Sequence, residues 1–552
     1  MARLAIALDL GTSGFRAQAL NLESRETLST VITSCHPLPG DNVIDHISFA
    51  LDAGIEVARK LIVEAVNRLI AALGVPLDEV SVFGVCGNPA QLSLFQGMEI
   101  RDLAYAGKRK LDSLGVNVPR REAAVLKAWQ FPGLLLPPDC DILIPPAVRH
   151  EVGADALALI IKTGMLERDE TSLAIDYGTN AEMALFHNGV VYTGSTAAGP
   201  ALEGQQITCG TIAIPGAICD LEPEETTDVP FYRLMMLDAG MSPVPGPVVD
   251  FRESRFVGSG VPRPAGITGT GTVAAIYEGI ECRLICLPHI TTTDRRLHFG
   301  EDVYLAEADL IEAGKAMGAI RAGYIALCKR AGIAIQDIDT VYMSGSAGTY
   351  MDALKAQKLG LIPPRVSKVC HVGNTSLAMA RDLVSDPAKL GEMSELARKL
   401  KRYHCMFALS AVFKKAYVLE LSYWTEGMPA HLHRSLLKRY GLPDLPPVAG
   451  TPEVLHLVKK DIEDTGIMGL TTLHDFGSSA DAQFEGCTAC WQCVSGCPGK
   501  ALSALKSEPP VVAIDPSRCK GMACRRCERI CPERVFKVRQ FFSSLLPEGG
   551  SS

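Results

Sequence analysis

Eight cysteines crowd the interval from 487 to 531, in two runs of four. The first run is Cys487-x2-Cys490-x2-Cys493-x3-Cys497 with Pro498 after it; the second is Cys519-x4-Cys524-x2-Cys527-x3-Cys531 with Pro532 after it. Three thiolates at short spacing can wrap one face of an iron–sulfur cube while the intervening amides turn toward its sulfurs. A fourth cysteine followed by proline points away from its own run and ligates the neighbouring cluster in two-cluster ferredoxins. The spacing therefore predicts two 4Fe–4S clusters, one on Cys487, Cys490, Cys493 and Cys531, the other on Cys519, Cys524, Cys527 and Cys497. Two extra residues after Cys519 enlarge one loop without removing a ligand. Zinc ribbons also use C-x2-C pairs, but as two separated pairs rather than runs of four ending in Cys-Pro. Such a module carries single electrons, so some other part of the chain must direct them.

That other part carries a repeated signature. The strand Leu4 to Leu8 leads into Asp9-Leu10-Gly11-Thr12-Ser13-Gly14 and a second strand from Ala17 to Leu20. The strand Leu173 to Ile175 leads into Asp176-Tyr177-Gly178-Thr179-Asn180 and a second strand from Ala181 to Phe186. Glycine and threonine after a strand-end aspartate make a turn whose amides and hydroxyl face an anion, and the carboxylate suits a hydrated Mg2+. A third glycine turn, Met343-Ser344-Gly345-Ser346-Ala347-Gly348, lets backbone approach a flat ligand closely. A single Asp-x-Gly-Thr is usually an ordinary turn; two in matching context indicate an internally duplicated fold. Neither the P-loop pattern nor a G-x-G-x-x-G opening a helix is present.

Helices must hold these turns in place. Apolar positions recur at helical spacing from Ile55 to Leu73, closed by Gly74 and Pro76, and from Leu310 to Ala331, closed by Gly332. Hairpins alternating with helices predict an α/β fold. The proline-rich stretch 243–264 reads as a surface loop and 443–450 as a linker, with Thr451-Pro452 starting a helix. The polar stretch 477–486 reads as a tether of about 17 Å, long enough for the cysteine module to swing.

Across 552 residues the chain is 47% hydrophobic and 21% charged, which suits roughly three domains with cores of their own. A formal net charge of −8 argues against a nucleic-acid partner. No apolar run approaches the ~18 residues that span a bilayer, so no membrane role is expected. Asp9 interrupts the apolar start early, which speaks against a signal peptide. Clustered cysteines without an export signal predict a reducing, cytoplasmic setting. Cys209, Cys219, Cys282 and Cys286 read as buried thiols, His46 and His371 as structural, and Trp491 as a shield for its cluster.

The hairpins resemble the phosphate loops of the actin, Hsp70 and sugar-kinase ATPase superfamily. More closely, several segments resemble the reductive activators of corrinoid proteins: Gly87-Asn88-Pro89-Ala90-Gln91, Ile144-Pro145-Pro146, Val152-Gly153-Ala154-Asp155, Asp176 to Glu182, Ser195 to Gly204, Gly269-Thr270-Gly271 and Val372-Gly373-Asn374. The resemblance runs from about residue 3 to about residue 440. The paired C-terminal clusters resemble the branch serving methylamine methyltransferases in methanogens, whereas other members carry an N-terminal 2Fe–2S module.

The resemblance implies duplicated actin-like, ribonuclease H-type ATPase lobes at 1–168 and 169–442, a linker with a short helix at 443–482, and an α+β ferredoxin-like domain at 483–540. It implies an oxidoreductase that returns inactive Co(II) of a corrinoid methyl carrier to Co(I), using ATP, Mg2+ and electrons from a low-potential donor such as ferredoxin. Gly11, Thr12, Ser13, Gly178, Thr179 and Asn180 would hold phosphates. Asp9 and Asp176 would orient Mg2+ and water, Gly345, Ser346 and Gly348 would back the adenosine, and Glu203 would polarise water. Two alternatives share parts of this pattern. One is an ATP-driven electron injector of the 2-hydroxyacyl-CoA dehydratase type, and the other a small-molecule kinase with an appended ferredoxin.

Overall fold

The computed structural model describes residues 3–543 apart from 106, 150, 225–230, 254, 258–262, 477, 478 and 506. The chain divides into two compact units. One comprises Met1–His150, Ala380–Leu390 and Gly466–Ser552; the other comprises Glu151–Met379 and Gly391–Thr465.

The first unit is built on a seven-stranded sheet with Leu4–Leu10 near its centre. Every residue of that strand is buried, as suits a strand covered on both faces. It runs antiparallel to Phe15–Asn21 and parallel to Val80–Gly87. The helix Ile55–Ala72 buries Ala58, Ile62, Val66 and Leu69 of the stripe that the periodicity predicts, while Ile55 is half-buried.

The second unit repeats this plan. Its six-stranded sheet has Ser172–Tyr177 antiparallel to Asn180–His187 and parallel to Thr340–Ser344. The 25-residue helix Glu307–Ala331 falls at the matching point of the chain, after the third strand and before the fourth. A five-stranded sheet containing Ala217–Pro223, Phe231–Leu237 and Pro243–Asp250 is inserted ahead of it. The fold is α/β and internally duplicated, as the paired hairpins predict.

Three expectations need correction. The stretch 443–482 is not a linker with a helix: Glu453–His456 joins the second unit's sheet beside Lys368–Gly373, and Leu470–Leu473 joins the first unit's sheet beside Thr27–Thr33. Strands of four residues are too short to show alternation, so composition hides them. The stretch 243–264 holds the strand Pro243–Asp250, not a loop, although 254 and 258–262 lie outside the described residues. Among the described residues Arg255–Val257 pairs with Val248–Asp250, beyond Pro243, Pro245 and Pro247.

The tether is corrected as well. Gly477 and Ser478 lie outside the described residues, but Ala480–Gln483 is a strand of the cysteine module, paired with Val511–Ile514. The module is seated within the first unit, against the helix Val43–Ala53 and the loop before it. Phe542 meets Phe49 edge-on at 4.8 Å, Arg525 Nη2 lies 2.6 Å from Asp52 Oδ2, and Lys520 Nζ lies 3.3 Å from Asp41 Oδ2. Among the described residues no helix is long and apolar enough to cross a membrane.

Candidate functional site

The cysteine module repeats its backbone as well as its sequence. Left-handed residues fall at matched places in the two runs: Ala489 and Gly521 two residues after the first cysteine, Trp491 and Arg525 inside C-x2-C, Lys500 and Arg534 three after the Cys-Pro cysteine. Alternating hand turns successive amides toward one side, which makes a cradle for an anionic cluster. The Cys497 thiol accepts the Ala501 amide at 3.3 Å.

Burial raises Cys493, and its neighbours Cys487 and Cys490 raise it further. Cys519 is pushed up to about 11 by burial, with Cys497 and Cys524 adding to the rise. Cys527 is pushed up to about 12 by burial, with Cys519 and Cys497 beside it. Cys497 thus lies among the thiols of the other run. Two runs of four thiols on matched left-handed cradles are a donor set that fits iron–sulfur clusters. Cys531 ends the helix Arg526–Ile530 and is half-buried. Among the described residues no three His, Cys, Asp or Glu side chains converge tightly enough for a single metal ion.

In the first unit, Asp9 and Arg16 are direct partners across the hairpin, with Arg16 Nη1 3.7 Å from Asp9 Oδ2. The turn between them is tight: a Cβ on Gly11 would come within 2.6 Å of the Gly14 carbonyl. Thr12 and Ser13 are buried, and the Thr12 hydroxyl accepts from Asn88 Nδ2 at 2.9 Å. Asn88 also caps the helix Pro89–Gln96, accepting the Gln91 amide at 3.0 Å.

The second unit brings together Asp176, Thr179, Glu203 and Gly345. The Thr179 hydroxyl donates to Glu203 Oε2 in a short hydrogen bond. Gly345 lies against Asp176 with φ of +81°, where a Cβ would come within 2.4 Å of Asp176 Oδ1. Gly178 and Asn180 share the turn, with the Gly178 position 3.2 Å from the Asn180 carbonyl when a Cβ is added. Ser346 donates to Asp461 Oδ2 at 2.6 Å, and His371 Nδ1 donates to the Gly348 carbonyl at 2.7 Å. His371 is therefore structural, as expected, and it stacks on His456.

Sequence reasoning overlooks several members of these sites. Glu182 faces Asp176 across the hairpin and is buried. Burial holds its carboxyl well above the usual carboxylate range, and Asp155 and Asp176 push the same way. The signal was present, because a hairpin with Asp176 at one end and Glu182 six residues on pairs the two. Arg16 was legible by the same arithmetic. Asp461 was not, since it lies in a stretch that composition marks as linker. Cys286 is exposed rather than buried.

The repeated sheet and phosphate-type hairpins define an ATPase fold of the actin and sugar-kinase class. Residues 170–433 match the family model described as the C-terminal domain of RACo, the ASKHA domain, and residues 4–168 match the RACo middle region. Over 518 residues the chain is 44% identical to the Co(II) methylated-amine-specific corrinoid protein reductase of Methanosarcina barkeri, covering 94% of this chain and 95% of that one. It is 26% identical to the corrinoid activation enzyme RamQ of Eubacterium limosum, over 65% of this chain and 60% of that protein. Among solved structures, a reductive activator for a corrinoid, iron-sulfur protein superposes with a TM-score of 0.63 at 25% identity, over 76% of this chain and 66% of that one. The chain belongs to the reductive activators of corrinoid proteins.

Proposed function

We propose that this chain reduces the Co(II) form of a methylamine-type corrinoid protein to Co(I), coupling ATP hydrolysis to electron delivery through two 4Fe–4S clusters. The observation that carries the reading is that one compact unit holds both the Asp9–Gly14 turn and the eight-cysteine module. The likeness to a reductase for methylated-amine corrinoid proteins, over 94% of the chain, supports the substrate.

When bound, the clusters supply one-electron transfer at low potential. Cys487, Cys490, Cys493 and Cys531 would hold one, and Cys519, Cys524, Cys527 and Cys497 the other; the proximity of Cys497 to Cys519 and Cys527 supports the crossed set. The amides and hydroxyls of the two turns bind phosphate oxygens through Gly11, Thr12, Ser13, Gly178, Thr179 and Asn180. Asp9 and Asp176 would hold Mg2+, which would supply charge neutralisation at the phosphates. Glu203, fixed by Thr179, accepts a proton from the attacking water. Gly345, Ser346 and Gly348 back the adenosine, with Asp461 and His371 holding that turn in place.

Reducing Co(II) requires one electron and no proton. A deficit of about 240 mV would cost on the order of 5.5 kcal/mol, which is also what a two-state protein needs to move from about 1:99 to 99:1. ATP turnover can meet that cost by driving such a transition in the complex with the corrinoid protein. A low-potential protein such as ferredoxin feeds the module.

The test is anaerobic mixing of the cluster-loaded chain with a Co(II) corrinoid protein and a strong reductant, with and without ATP. The Co(I) absorbance band should rise only with ATP. An equal rise without ATP rules out the coupling.

A further inference from the structure

A buried hydrogen-bonded path joins the first unit's phosphate turn to the second group of thiols. From Thr12 it passes to Asn88, and from the Asn88 side chain to the Gln91 amide. Gln91 then grips two stacked histidines: its Oε1 lies 3.0 Å from His36 Nε2 and its Nε2 lies 2.8 Å from His46 Nδ1. The tautomers follow from one backbone bond. The Leu38 amide donates to His36 Nδ1, so His36 carries its proton on Nε2 and donates to Gln91 Oε1. Gln91 Nε2 then donates to His46 Nδ1, which leaves the His46 proton on Nε2.

That last N–H is fully buried and faces the Gly40 backbone. Gly40 is the far end of the path. Its amide donates to the Cys519 carbonyl at 2.8 Å. Its φ is +100°, and a Cβ there would come within 2.2 Å of Asp45, so only glycine allows this passage. A Cβ on Gly521 would lie 3.2 Å from Gly40 Cα, which shows how closely the loop presses on the module. A second route runs in parallel: the Phe15 amide donates to Thr33 Oγ1, Thr33 donates to the Cys35 carbonyl, and the Cys35 thiol meets Ser517.

Buried polar networks are held in place because each lost bond leaves a desolvated group behind. A shift at Thr12 is therefore passed along the path, through Gln91 and His46 to the Gly40 backbone. We infer that Gln91 and His46 are positioning residues that link the occupancy of the Asp9–Gly14 turn to the setting of the cluster on Cys497, Cys519, Cys524 and Cys527. The inference rests on the function proposed above. Nucleotide on the turn moves the 36–46 loop, and with it the backbone of Cys519, so one cluster responds and the other does not.

The experiment uses the full-length chain, purified anaerobically, with iron, sulfide and AMP-PNP affinity measured separately. Redox titration followed by EPR is run with and without AMP-PNP and Mg2+. Cys519→Ser and Cys490→Ser variants mark which signal belongs to which cluster. The expected result is a nucleotide-dependent shift in the midpoint potential and line shape of the signal marked by Cys519→Ser alone. Gln91→Met should lose that shift while still binding AMP-PNP and keeping both signals. Amide exchange across 36–46 in the unsubstituted chain should slow with AMP-PNP, a readout that does not depend on the variant folding. AMP-PNP binding that leaves both clusters unchanged, shifts both alike, or still shifts the Gln91→Met protein overturns the inference while leaving the proposed function intact. Failure to bind AMP-PNP or to hold clusters overturns both.

Discussion

Arg525, next to the thiol of Cys524, reaches back more than four hundred residues to Asp52, with Nη2 2.6 Å from Oδ2. Both side chains are partly exposed, so the pair contributes about 1 kcal/mol or less. Phe542, fully buried against Phe49, contributes far more. Truncating it should cost about 3–5 kcal/mol. Phe542→Ala is thus expected to expose the Val43–Ala53 helix to amide exchange, and Asp52→Asn to change it little. A large effect from Asp52→Asn and none from Phe542→Ala would mean that charge, not packing, seats the module.

Asp9 lies on the strand Leu4–Leu10 and pairs with Arg16. Asp9→Ala should lower ATP-dependent activation by about 100-fold or more while the iron–sulfur absorbance stays intact. Loss of the absorbance would place Asp9 in the cluster module's stability instead of the ATP step.

Gly345 and Gly189 both have positive φ, yet only Gly345 faces an obstacle. Gly189→Ala meets nothing within 4 Å and should cost only the left-handed penalty, about 1 kcal/mol. Gly345→Ala drives a methyl into Asp176 and should weaken nucleotide binding as well as lower the melting temperature. Equal behaviour of the two variants in calorimetry and nucleotide titration would refute the placement of Asp176.

Glu182 gives a pH signature. Its folded pKa is raised above the usual 4.5, chiefly by burial. The fold therefore favours the protonated acid. That advantage is full below the unfolded value and is lost as pH rises through the folded one. Glu182→Gln cannot ionise and keeps an acceptor for the Ser195 hydroxyl, which lies 3.2 Å away. Its melting temperature should rise relative to the parent between about pH 5 and pH 8, with little difference near pH 4.5. A variant less stable at every pH would mean that Glu182 is ionised and paired in the fold.

What the sequence made legible was local or repeated. The hairpins at Asp9 and Asp176 announced a duplicated sheet because the same turn chemistry occurs twice, and the helices at 55–72 and 307–331 showed their periodicity over many turns. The matched cradles of the two cysteine runs were readable because the spacing repeats, with proline after Cys497 and after Cys531. The rest depends on distant partners. Nothing around residue 480 reveals that Phe542 and Arg525 dock on residues 49 and 52, and a polar stretch with glycine at both ends looks like a tether whether or not its middle pairs into a sheet. Glu182 was half-legible: the hairpin register pairs it with Asp176, but nothing in the register shows that Asp155 joins them.

The proposed electron delivery requires two cubane clusters in this chain. Iron and acid-labile sulfide, measured on anaerobically purified protein, should come to about eight of each per chain, and Cys497→Ser should disturb the signal that Cys519→Ser disturbs. Zinc in place of iron, or about two irons per chain, would contradict it.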